Sequence, residues 1–196
     1  MNVIRLMIVA VGGQGNLLAA KVLGEAALLA DIPFRMSEIH GMAQRGGVVE
    51  SAMIFGDAKS SLISDGEADI LAGFEPLETL RAIGKCNKKT VVITNSMPLP
   101  PFAAAVGQSA YPDPDELQKL ILEKAGSLNS FDATTLATEA GNVMAVNMVI
   151  LGALAATGLL PVSAENIRET IRNKTRRNFV AVNLKAFELG FTTQSR

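Results

Sequence analysis

The sequence predicts an α/β fold with a mostly parallel sheet, and three features carry that prediction. Val3 to Val11 is a continuous apolar run with β-branched members, the pattern of a strand buried on both faces. It ends in GGQG, and apolar residues then recur at helical spacing through NLLAAKVLGEAALLA, residues Asn16 to Ala30. Two more short apolar runs, Asp69–Phe74 and Thr90–Thr94, flank a helical stretch at Pro76–Ile83, as parallel strands joined by helical crossovers would. The expected architecture is a Rossmann-like three-layer domain with helices on both faces of the sheet.

The remaining elements follow from local signals. In the first helix Lys21 and Glu25, at i and i+4, form the one polar stripe. Pro33–Ile39 reads as a second strand, and Val48–Phe55 alternates as a third, closed by the turn pair Gly56-Asp57. Residues Asn95 to Pro114 hold five of the eight prolines, so an irregular excursion is expected, with one short strand near Ala103–Val106. Helices then dominate. One covers Asp115–Lys124, an apolar one starts near Asn142, and a third starts near Ser163. The last spans Arg176–Leu189 and should stop at Gly190 in a left-handed cap. No repeat or linker divides the chain, and 196 residues that are 48% hydrophobic suit one domain over 1–196.

Composition removes several classes of function. Eighteen basic and nineteen acidic residues leave a net charge of −1, with no electrostatic footprint for nucleic acid or an anionic membrane. One cysteine and one histidine cannot build a structural Cys/His zinc site, a four-cysteine iron–sulfur site or an internal disulfide, so no metal is expected on this chain. The start, MNVIRLMIVAVGG, reads as a strand and not as a signal peptide, which suggests a cytoplasmic protein. The run VMAVNMVILGALAATGLL, Val143–Leu160, approaches the length of a membrane span. Asn147, Gly152, Gly158 and the absence of flanking basic clusters favour a buried helix, in the core or in an interface that would let the chain self-associate.

Candidate chemistry is sparse. Gly12, Gly13, Gln14 and Gly15 between a strand and a helix suit close backbone approach to an anion, although the Lys-Ser/Thr pair of a P-loop is missing. Glu38, 23 residues beyond Gly15, occupies the sequence position of a ribose-binding carboxylate. The segment SEIHGMAQRGGVVES gathers His40, Gly41, Arg45, Gly46 and Gly47. Arg45 before two glycines suits a bidentate clamp on a carboxylate or phosphate, or a local ion pair. Cys86 lies in basic surroundings that would lower a thiol pKa, yet it has no acid–base partner nearby and reads better as a bystander. No complete catalytic set emerges, so the chain reads as a subunit completing another chain's active site. A stand-alone nucleotide-binding protein using GGQG and Glu38, and a non-catalytic interaction module, are the competing readings.

AVGGQGNLLAAKVLGEAAL followed by SEIHGMAQRGGVVESAMIFG resembles the gamma-type domain of the 2-oxoacid:ferredoxin oxidoreductases, and IHGMAQRGG is most similar to the form in its indolepyruvate-acting members. The likeness continues through DILAGFEPLETLR, NMVILGAL and VNLKAFELGF. Ala10 departs from the pattern, where such sequences often carry a further glycine. The resemblance implies oxidative decarboxylation of arylpyruvates with coenzyme A to aryl acyl-CoA, with electrons passed to ferredoxin. It also implies that thiamine diphosphate and [4Fe–4S] clusters sit in a large alpha-type partner subunit, and that this chain binds no cofactor alone. Gly12–Gly15, His40, Gly41, Arg45, Gly46 and Gly47 are the positions that match the family's two motifs and are expected to face substrate, cofactor or partner.

Overall fold

A computed structural model describes residues 2–41, 47–99 and 110–193. Strand β1 (Ile4–Val11) is buried on both faces because it is central, pairing antiparallel with β3 (Val48–Phe55) and parallel with β4 (Ile70–Gly73). With β2 (Phe34–His40), β5 (Val91–Asn95) and β6 (Ser127–Phe131) it completes a six-stranded sheet in the order β2-β3-β1-β4-β5-β6. β3 alone runs against the others. Only residues 41–47 join it to β2, too short a connection for a parallel crossover, which needs a dozen or more residues.

Alternation along β1 divides the core. Leu6, Ile8 and Ala10 point to one face, where they meet Leu23 of α1 (Asn16–Leu29), Ile150 of α5 (Val146–Ala156) and Phe187 of α7 (Val180–Thr192). The same layer includes α4 (Ala133–Ala140) and α6 (Ala164–Lys174). Met7 and Val9 point to the thinner opposite layer, made by α2 (Pro76–Arg81), a 3-10 turn at Ala82–Lys85 and α3 (Pro114–Leu122). Helices thus cover both faces, as expected for the three-layer class.

Several elements differ from expectation. The apolar run from Val143 resolves into a 3-10 turn, Val143–Ala145, and the 11-residue α5. No helix among the described residues is long and apolar enough to cross a membrane. Gly190 does not end a helix: it lies inside α7, where an added Cβ would stand 1.9 Å from the Val149 carbonyl oxygen. Gly152 mirrors it, with Phe187 O at 2.0 Å from the same hypothetical atom. The two glycines therefore allow the backbones of α5 and α7 to touch. β6 and α4 fall where no element is predicted, and the expected strand at Ala103–Val106 lies outside the described residues.

Candidate functional site

The C-terminal ends of β1, β4 and β5 form one edge, and side-chain amides tie it together. Gln14 folds back over the turn that follows β1. Its Oε1 accepts from Val11 N at 2.8 Å and its Nε2 donates to Phe74 O, just beyond β4, at 3.1 Å. Asn95, buried at the end of β5, donates to the same carbonyl at 3.3 Å and to Thr134 Oγ1 at 3.0 Å. The Asn95 Oδ1 accepts from Ala133 N and Met97 N, so the start of α4 and the chain leaving β5 are fixed by one side chain. Buried amides satisfied on every side hold a surface rigid.

Two glycines of the turn have conformational reasons to be there. Gly13 and Gly15 adopt φ of 102° and 81°, in the left-handed region that disfavours side chains. At Gly15 a Cβ would also lie 2.7 Å from Asn147 Nδ2, which donates to Gly15 O at 3.1 Å. Asn16 is buried, with its amide reaching Ser51 Oγ and Val49 O on β3. Gly12 N donates to Gly47 O at 2.7 Å. That bond brings the two glycine motifs side by side.

Above the turn lies a cavity of about 400 Å³ with a polar floor, Gly12, Gly13, Gln14 and Asn95, and an apolar rim. Met97, Leu99, Val143 and Met144 on that rim are exposed. On the other side of the edge Glu75 is buried and caps α2, accepting from Glu78 N at 2.9 Å, from Leu99 N at 3.3 Å and from the Tyr111 hydroxyl. Burial, and then the Glu75 carboxylate, hold the Tyr111 phenol above its ordinary pKa. Burial likewise raises Glu78, against the pull of Arg81 at 2.5 Å, with Glu75 and Glu50 adding to the rise.

Of the residues singled out in the sequence, Gly12–Gly15, Gly41 and Gly47 lie together at this edge. Gly41 N donates to Val48 O at 2.8 Å, and a Cβ there would meet that oxygen at 3.2 Å. His40 and Glu38 share a face of β2, with Nε2 and Oε2 3.7 Å apart. Glu38 does not stand beside the turn: β3 lies between β2 and β1, which puts it about 10 Å from the strand bearing the turn. Its place as a ribose ligand depended on β2 being the neighbour of β1, and that adjacency is absent. Arg45 and Gly46 lie outside the described residues. Cys86 is buried in the thinner core layer, and burial pushes its thiol up to about 11, the reverse of the lowering expected from nearby lysines. Sequence reasoning missed Asn95, Thr134 and Glu75, which join the site through distant pairings. Asn147 carried a signal as the polar residue inside the apolar helix.

Among the described residues no group of three or more His, Cys, Asp or Glu side chains could hold a metal ion. A four-thiolate cluster does not fit this chain, whose one thiol is inside the core.

The family model for pyruvate ferredoxin/flavodoxin oxidoreductase matches residues 5–193. The chain is 43% identical over 181 residues to indolepyruvate oxidoreductase subunit IorB of Methanothermobacter thermautotrophicus, covering 92% of each. It is also 43% identical over 187 residues to the Pyrococcus horikoshii subunit of the same name, covering 94% of this chain and 93% of that one. The keto/oxoacid ferredoxin oxidoreductase gamma subunit from Geobacter sulfurreducens shares the fold with a TM-score of 0.69 at 23% identity, over 96% of both chains. So does 30% of a chain of 2-oxoglutarate:ferredoxin oxidoreductase from Magnetococcus marinus, with a TM-score of 0.72 at 20% identity over 97% of this chain. Matched by that model over nearly its whole length, the chain belongs to the pyruvate ferredoxin/flavodoxin oxidoreductase family.

Proposed function

We propose that this chain is the small, cofactor-free subunit of a cytoplasmic indolepyruvate:ferredoxin oxidoreductase, one gamma-type unit packed against a large alpha-type subunit. The complex oxidatively decarboxylates arylpyruvates with coenzyme A to aryl acyl-CoA and passes two electrons to ferredoxin. Thiamine diphosphate and iron–sulfur clusters in the large subunit supply the carbanion chemistry and the electron path. The 43% identity to indolepyruvate oxidoreductase subunits over 92% or more of the chain carries this reading.

The geometry supports a positioning role for the small chain. The glycine turn, held by Gln14 and Asn95, offers a rigid polar floor, and the exposed Met97, Leu99, Val143 and Met144 around it suit burial against a partner. His40, Gly41 and Gly47 extend this face along the β2–β3 end, and Arg45 and Gly46 belong to the same connecting segment in the sequence. The stand-alone nucleotide reading loses its carboxylate, because Glu38 is two strands from the turn-bearing β1.

Substrate class is tested by coexpressing this chain with a large subunit that carries the cofactor motifs. The complex is assayed for ferredoxin reduction with indolepyruvate, pyruvate or 2-oxoglutarate, and the acyl-CoA products are identified by mass spectrometry. Indolepyruvate should be turned over with the highest kcat/KM and yield its aryl acyl-CoA. Preference for an aliphatic 2-oxo acid would reject the arylpyruvate assignment.

A further inference from the structure

Glu75 is an uncommon N-cap for a helix as short as α2, where Ser, Thr, Asp and Asn are preferred. It is 1% exposed, and no cation pairs with it among the described residues, so its burial is costly unless both oxygens are hydrogen-bonded. Both are. Oε2 does the capping, accepting from Glu78 N at 2.9 Å. The extra methylene that Glu has over Asp carries Oε1 past the helix, where it accepts from Leu99 N at 3.3 Å and from the Tyr111 hydroxyl. One carboxylate therefore joins three segments of the chain. Burial, and then Glu75 itself, keep the Tyr111 phenol protonated at neutral pH, so this donor persists.

The stretch that Glu75 holds is the independent observation. Ser96–Leu99 has no regular secondary structure, yet each of its backbone N–H groups has an acceptor: Ser96 N donates to Phe131 O at 2.8 Å, Met97 N to Asn95 Oδ1 at 3.2 Å and Leu99 N to Glu75, while Pro98 has none to place. The Met97 and Leu99 side chains are nonetheless 42% and 45% exposed. A fixed backbone under exposed apolar side chains is already ordered for contact, which lowers the entropy lost on association.

We propose that Glu75 and Tyr111 are positioning residues for subunit assembly, setting Leu99, and with it the Met97–Leu99 rim, in the conformation that docks on an apolar surface of the large subunit. The inference rests on reading this chain as a small subunit, and it adds which buried groups fix the docking rim. Both residues act through Leu99.

Equilibrium binding of the full chain to the purified large subunit, measured well below the melting temperature of either, tests it. Tyr111→Phe and Glu75→Asp should each raise the dissociation constant by about fivefold or more. Deuterium exchange at the Leu99 amide should be faster in Glu75→Asp, because the shorter carboxylate still caps α2 but no longer reaches across to Leu99. A Leu99→Ala background separates positioning from general destabilisation: there the further effect of Tyr111→Phe should shrink to about twofold or less. Should Glu75→Asp fail to fold, Tyr111→Phe and its cycle with Leu99→Ala decide alone. Wild-type dissociation constants in both variants, or an equal Tyr111→Phe effect with and without Leu99→Ala, overturn the proposal while leaving the small-subunit reading intact. Failure of the wild-type pair to associate rejects that reading and this inference with it.

Discussion

Gln14 makes one turn out of two strand ends, accepting from Val11 N and donating to Phe74 O. Gln14→Leu leaves Val11 N without its side-chain partner and should cost about 1–3 kcal/mol in urea denaturation. Asn95 continues to serve the Phe74 carbonyl, which keeps the loss from growing further. At Cys86 the consequence appears with pH. An unfolded thiol titrates near about 8.5, and in the fold burial pushes it up to about 11. The folded chain holds its proton longer, so stability falls as pH rises between those values and levels off above the upper one. Cys86→Ala should show a smaller fall over that window in parallel denaturation curves. An equally steep fall in both proteins would place the titration elsewhere.

At the scale of elements, helix contact depends on backbone approach. An alanine at Gly190 would drive its Cβ into the Val149 carbonyl of α5, so Gly190→Ala should cost about 3 kcal/mol or more and separate α5 from α7. At Gly84, in the 3-10 turn, nothing lies within 4 Å of an added Cβ and φ is not in the left-handed region. Gly84→Ala should be neutral or stabilising by up to about 1 kcal/mol. Thermal melts of the pair provide the check, and similar losses would contradict the packing described for Gly190. The same two positions show what a sequence reveals about elements. Gly190 beside a helical repeat reads as a stop, because nothing local says that a second backbone will lie against it. β1 and α1 are legible because their burial patterns are strong and local. β6, with Ser127, Asn129 and Ser130 on an edge strand, has no apolar run to announce it, and α4 is a short stretch of small and polar residues held by the Asp132 cap.

In the whole molecule the candidate site is a property of the sheet edge. GGQG is visible in the sequence because its four residues are consecutive, whereas Asn95 and Phe74 meet Gln14 only after parallel pairing brings three strand ends together. The placement of Glu38 was illegible for the opposite reason. Its spacing fits a nucleotide fold, and the antiparallel β3 then separates its strand from β1. What remains at the edge is a rigid floor and an apolar rim, which fits the proposed role beside a cofactor-bearing partner subunit. Titrating the large cofactor-bearing subunit with this chain, while following indolepyruvate- and coenzyme A-dependent ferredoxin reduction, tests that claim most directly. Activity should rise to a plateau at a fixed stoichiometry, with none from this chain alone. Full turnover by the large subunit without this chain, at unchanged kcat and KM, would contradict it.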